Sequence, residues 1–349
     1  MKRLLMLLIA VCVVFALMPL TELEKPEKAE KPAKTEKTEE TAKPKETENP
    51  KETEKPKETE KPKETLPKQT ARFSSISTSL GGNIAMNFHV LLSDDLIEDP
   101  DTFIRFTYAD QMLEFPISEG EASRKDGFPV YIFSCPIAAK SINDEITAQV
   151  YDGTRAVGDP KTISVAAYCN WIIGNYQDEK TVDLMKAILN YGASAQILFD
   201  YRTDNLANGV LKEADKVHNA VDASAYLHSV TGEEKGIRPA GYTLVLESET
   251  TIRCYFELTG DRTIDQFTFT VDGVEVEPQG KDGRYYIEKT NIPAHCLGDM
   301  YVFTCGGITL RYSAFSYVNQ VMANYKSGAA FDMAAALYAY SKAAEAYIG

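Results

Sequence analysis

The chain has 349 residues, of which 44% are hydrophobic and 10% aromatic, and it carries a formal net charge of −14 at neutral pH. A folded body this acidic is repelled by a phosphate backbone, which argues against nucleic acid as a partner.

The first elements are compositional. Lys2 and Arg3 precede an apolar run from Leu4 to Met18. That pattern predicts a secretory signal or an uncleaved N-terminal anchor over residues 1–21. No Ala-x-Ala site is present, and the run is marginal for spanning a bilayer. Residues 22–71 are nearly all Lys, Glu, Pro and Thr and contain no aromatic side chain. Such a tract buries too little apolar surface to offset the entropy of ordering, so a disordered, semi-extended linker is expected. From Glu22 to Lys68 it holds 13 Lys against 14 Glu, so the acidic excess belongs to the remainder of the chain. The expected location is secreted or at the extracellular surface, with membrane contact only through the N-terminal segment.

Beyond the linker, one stretch recurs. SVAAYCNWIIGNY (Ser164–Tyr176) returns as SAFSYVNQVMANY (Ser313–Tyr325), and at an offset of 149 positions Ser164–Phe199 lies over Ser313–Ile348 without a gap. Tyr168 meets Tyr317, Tyr176 meets Tyr325, Ala187 meets Ala336, Tyr191 meets Tyr340 and Ala195 meets Ala344. A constant register over this length points to internal duplication. In the first copy Tyr168, Trp171, Ile172 and Tyr176 recur at helical spacing, and Ala187, Tyr191 and Ala195 line one face of a second helix. Each copy therefore reads as a helical hairpin whose core is Tyr168, Trp171, Tyr176, Ala187, Tyr191 and Ala195, or Tyr317, Tyr325, Ala336, Tyr340 and Ala344.

A β-rich block precedes each hairpin. NIAMNFHVLL (Asn83–Leu92) alternates like a half-buried strand and TIRCYFEL (Thr251–Leu258) echoes it, while Asp272-Gly273 and Asp152-Gly153 are hairpin-turn signals. The expectation is an α+β fold of two duplicated modules, residues 72–209 and 240–349. Each would be an antiparallel β-sandwich or curled sheet followed by an α-helical hairpin. Residues 210–239 would connect them through a short polar helix.

Reactive groups do not converge. His89, His218, His228 and His295 are scattered, with neither an HExxH pattern nor a paired cysteine. Cys169 and Cys254 read as small core hydrophobes, and Cys296 with Cys305 is a candidate disulfide in an exported chain. Asp94, Asp95, Glu98, Asp99 and Asp101 form an acidic loop without the twelve-residue calcium pattern, so a solvated surface is the better reading. No GxSxG, phosphate-binding glycine loop or dinucleotide fingerprint occurs. No catalytic residue, metal ligand or cofactor site is therefore expected.

NIAMNFHVLLSDD, YIFSCPIAAKSINDEITAQVYDG and MKAILNYGASAQILFDYRTDNLAN together resemble modules of secreted and wall-associated proteins from gut Clostridia, closely over Phe73–Asn208 and loosely beyond. The resemblance implies an exported, non-enzymatic recognition protein whose partner is a host secreted protein, with immunoglobulin as a candidate. A carbohydrate-binding module, which would show a planar row of exposed aromatics, is the first alternative. An envelope- or glycan-processing enzyme, with two carboxylates in a deep cleft, is the second. A structural spacer is the third. Tyr201 and Arg202 are the candidate surface binding residues.

Overall fold

The computed structural model describes residues 66–79, 84–125, 128–216 and 221–349. The apolar leader, most of the linker and His218 lie outside the described residues. The chain enters as strand β1 (Ala71–Ser79), turns into β2 (Ala85–Leu92), and passes a single helical turn α1 (Asp94–Glu98). β3 (Thr102–Tyr108), β4 (Gln111–Pro116), β5 (Glu121–Lys125), β6 (Phe128–Pro136), β7 (Ile146–Asp152) and β8 (Arg155–Ile163) follow. They form two antiparallel sheets, ordered β1-β2-β6-β5 and β4-β3-β7-β8. Alternation decides the faces: Met86, Phe88, Val90 and Leu92 of β2 are all fully buried, as are Ile104 and Phe106 of β3. Phe88 meets Phe106 with ring centroids 5.2 Å apart, so the two sheets share one apolar layer.

Helices α2 (Val165–Asn175) and α3 (Glu179–Leu198) come next. Each start is fixed locally: Ser164 caps α2 by accepting from the Ala167 amide at 3.0 Å, and Asp178 caps α3 by accepting from the Thr181 amide at 2.9 Å. The chain then builds β9 (Ser229–Thr231), β10 (Ile237–Leu246), β11 (Thr250–Leu258), β12 (Phe269–Val271), β13 (Val274–Glu275), β14 (Gln279–Lys281), β15 (Arg284–Lys289), β16 (Tyr301–Cys305) and β17 (Ile308–Tyr312). Their antiparallel sheets are ordered β10-β11-β15-β14 and β13-β12-β16-β17-β9. Phe256 of β11 packs edge-on against Phe269 of β12 at 5.3 Å, again joining two sheets. Helices α4 (Ala314–Asn324) and α5 (Ala329–Ile348) close the fold.

The expected fold class needs correction. More residues lie in strand than in helix, in four antiparallel sheets against two 11-residue and two 20-residue helices, so the fold is mostly β. It is not two duplicated β-plus-helical-hairpin modules. Helices α3 and α5 pack on each other, and Tyr191 and Tyr340, both wholly buried, stack with ring centroids 5.4 Å apart. One buried apolar cluster runs through the body from Ala71 to Ala344. The physical reason is that helical periodicity reports which face is apolar and leaves open what covers it. Here a large tyrosine on each long helix is covered by the other long helix.

Two smaller expectations change as well. Among the described residues, the connector forms a single 3-10 turn at Glu213–Asp215 and then donates β9, which pairs with β17. Cys296 and Cys305 are both free thiols, as are Cys135, Cys169 and Cys254. Cys296 ends a 3-10 turn while Cys305 ends β16, and a strand advancing about 3.3 Å per residue carries the second thiol away from the first.

Candidate recognition surface

The two predicted surface residues sit in a turn that the fold holds firmly. Helix α3 ends in a Schellman arrangement: the Asp200 amide donates to the Ile197 carbonyl at 3.4 Å and the Tyr201 amide to the Gln196 carbonyl at 2.9 Å, with Asp200 left-handed at φ 50°. This aims Tyr201 back at the body, where its hydroxyl donates to Asp144 Oδ2 at 2.6 Å. Asp144 is 2% exposed, and Arg202 Nη1 lies 3.0 Å from its other oxygen. Burial first, and then the donated bond to Asp144, raise the Tyr201 hydroxyl above its usual range. The following segment is laced down too, by Gln196 and Asn143 donating to the Asn205 carbonyl at 3.0 and 2.7 Å. Tyr201 and Arg202 thus clamp the turn to a buried carboxylate. Half-buried Tyr201 offers a partner little free surface.

The hairpin residues divide. Tyr168, Tyr191, Ala195, Ala336, Tyr340 and Ala344 are buried, while Tyr176, Tyr317 and Ala187 are half-buried against the core. Trp171 and Tyr325 are corrections: they are 39% and 53% exposed. Trp171 lies off the apolar stripe of α2, which is narrower than the set of large residues on that helix, and Tyr325 is the C-cap of α4, in extended backbone where helical spacing no longer sets its direction.

Trp171 is the chain's one tryptophan, and it stands on the outer side of α2. Its indole meets the Tyr176 ring edge-on at 5.8 Å. The helix stops there: the Tyr176 amide donates to the Ile172 carbonyl at 2.9 Å and Asn175 Nδ2 to the Trp171 carbonyl at 2.8 Å. Tyr347 of α5 joins from the far end of the chain, its hydroxyl raised by burial first and then by the charges of Asp178 and Tyr176. Ile348, beside it, is 47% exposed. Trp171 and Tyr176 make an exposed aromatic pair at the C-terminal end of α2, and Tyr347 of α5 packs on the core close enough to Tyr176 and Asp178 to feel their charges. The sequence did contain a pointer to Trp171, because the position 149 residues later holds the polar Gln320.

Other chemistry is dispersed. An open groove of about 510 Å³ lies between edge strands β1 and β8, lined by Arg72, Phe73, Asp159 and Lys161 among others, with Asp159 its one carboxylate. His89 shares a hydrogen bond of 3.0 Å with the buried hydroxyl of Ser77, and exposed His228 stacks on Tyr312. Asp95, which the fold places in α1 and not in a loop, accepts from the Gln69 amide and side chain, each at 3.0 Å, so it ties the segment leading into β1 to α1. Among the described residues, no group of three or more His, Cys, Asp or Glu side chains is arranged to hold a metal ion.

A scan against protein-family models finds no match to the chain, and a search of curated proteins finds none either.

Proposed function

We propose that this chain is an exported, non-enzymatic recognition protein that binds a secreted protein through the Trp171 surface. The observation that carries the reading is the exposure of the single tryptophan against Tyr176, in a chain whose other large aromatics are mostly spent on the core. Tryptophan and tyrosine bury large area at modest entropic expense and dominate protein–protein affinity when they sit together in a preorganised place. Both caps of α2 preorganise this one. The enzymatic alternative calls for paired carboxylates in a cleft, and the groove between β1 and β8 is open and supplies one. A host secreted protein is the partner class, and immunoglobulin is the first bait.

The test uses the folded chain on beads against serum and intestinal secretions, with bound proteins identified by mass spectrometry. Trp171→Ala is expected to abolish saturable capture, a loss of about 2 kcal/mol or more in binding, while leaving the melting temperature within a degree or two. The single indole also gives a direct optical signal for titration with the captured protein. Capture that persists at full strength in Trp171→Ala would remove this surface from the reading; no capture at all by folded protein would remove the reading.

A further inference from the structure

We propose that the outer face of the β10-β11-β15-β14 sheet is a second binding surface, for a carboxylate-bearing glycan. The face is defined by alternation on β11: Ile252, Cys254 and Phe256 are buried, so Arg253, Tyr255 and Glu257 point the other way. Strand register completes three transverse rows. Arg238, Glu257, Arg284 and Lys281 lie across the sheet in one, Gly241, Tyr255, Tyr286 and Gln279 in the next, and Thr243, Arg253 and Glu288 in the third.

Two of the cations on this face are matched. Arg238 pairs with Glu257 at 2.6 Å, and Arg253 donates to Glu288 at 2.6 Å while covering the Tyr286 ring at 4.1 Å. The other two are not. Lys281 and Arg284 stand directly opposite each other on β14 and β15, and among the described residues no carboxylate forms an ion pair with either. The turn between them is Asp282-Gly283, both left-handed at φ 56° and 79°, which locks the two strands in this register. Like charges directly opposite in an antiparallel pair are destabilising. On a chain with a net charge of −14, a fixed pair of unmatched cations is a local inversion of sign that an anion would relieve.

The form of the face selects among anions. None of the exposed large hydrophobic side chains belongs to β10, β11, β14 or β15, so the face lacks the apolar centre that a folded protein partner needs. A phosphate backbone presents a dense row of charge that the acidic body repels, whereas two unmatched cations suit isolated carboxylates spaced along a sugar chain. Tyr286, whose hydroxyl donates to Gln279 at 2.9 Å, and Tyr255, which Arg284 overlies at 5.0 Å, hold the polar side chains of the face in place, so hydroxyl, amide and guanidinium groups meet the sugar hydroxyls beside the carboxylates.

The test is calorimetric titration of the whole chain with a galacturonate oligosaccharide, with its methyl ester, poly-glutamate and single-stranded DNA as comparators. Saturable, salt-sensitive binding of the free acid and not of the ester is expected. Lys281→Glu turns the like pair into an opposite pair, so it is expected to weaken the galacturonate at least about tenfold and to raise the melting temperature. Arg284→Gln should weaken it similarly. Equal binding of acid and ester, unchanged affinity in Lys281→Glu, or equal affinity for poly-glutamate or DNA would overturn the proposal, and a lowered melting temperature would overturn its like-charge premise. The readout is independent of protein capture at Trp171, so either reading can fail alone.

Discussion

Asp144 is 2% exposed and accepts from the Tyr201 hydroxyl at 2.6 Å. A buried carboxylate that loses its donor keeps its desolvation penalty. Tyr201→Phe, which removes one oxygen and little packing, is therefore expected to lower unfolding stability by about 1–3 kcal/mol, measured by urea denaturation. A change under a few tenths of a kcal/mol would show that Arg202 alone satisfies the carboxylate. Gly158 is a second such point. It is left-handed at φ 69°, and a Cβ there would lie 2.0 Å from the Ala71 carbonyl oxygen, where β8 crosses β1. Gly158→Ala should cost about 1–3 kcal/mol from backbone strain alone, with the clash added, and should shift the urea midpoint accordingly. Neither residue announces this in the sequence: Asp144 lies 57 positions from Tyr201, and a glycine inside a strand pattern says only that something comes close.

At the level of elements, caps carry information that outlives packing. Asp178 accepts the Thr181 hydroxyl at 2.6 Å and the Thr181 amide at 2.9 Å, and these bonds, the hydroxyl first, lower its pKa. A carboxylate lowered on folding contributes stability that is present above its unfolded pKa, about 3.9, and is lost as pH falls through the folded value. Asp178→Asn keeps an N-cap acceptor without the charge. Its melting temperature should sit below wild type at pH 6, and the gap should close by pH 2.5; a gap independent of pH would assign the cap no ionic part. Strands were also legible at this scale. NIAMNFHVLL and TIRCYFEL hold β2 and β11; the alternation of β11 matches its one buried face, whereas β2 is a strand buried on both faces, with only His89 half-buried, so there the half-buried expectation is corrected. The outward turn of Trp171 was less legible, since both faces of α2 carry large apolar residues and only Gln320 at the matching position hints at solvent. The influence of Asp178 and Tyr176 on Tyr347 could not be read at all, because it depends on where α5 comes to rest.

For the whole molecule, the decisive feature is a continuous interior rich in tyrosine. Tyr168, Tyr191 and Tyr340 are 2% exposed or less, and Tyr191 and Tyr340 join the two long helices. Local periodicity suggested two bodies because each helical pair looks complete when only its own apolar face is counted; the contact between α3 and α5 lies beyond any window of sequence. Burial raises these hydroxyls in common: Tyr108 and Tyr312 are pushed up to about 12, and Tyr168, Tyr191, Tyr242 and Tyr340 are raised by the same cause. In the unfolded chain each ionises near pH 10. A group whose folded pKa lies above its unfolded one contributes fully below the unfolded value and loses that contribution as pH rises toward the folded one. Each such tyrosine then removes up to about 1.4 kcal/mol per pH unit above 10, and several act together on one core. The expected result is a cooperative alkaline unfolding between about pH 10 and 12. Phenolate absorbance and loss of far-ultraviolet circular dichroism should rise as one transition, with Trp171 fluorescence changing at the same midpoint. If the two helical pairs belonged to separate bodies, the transition would divide into two steps; a gradual phenolate titration with the dichroism intact would place most of these hydroxyls in water and contradict the interior described above.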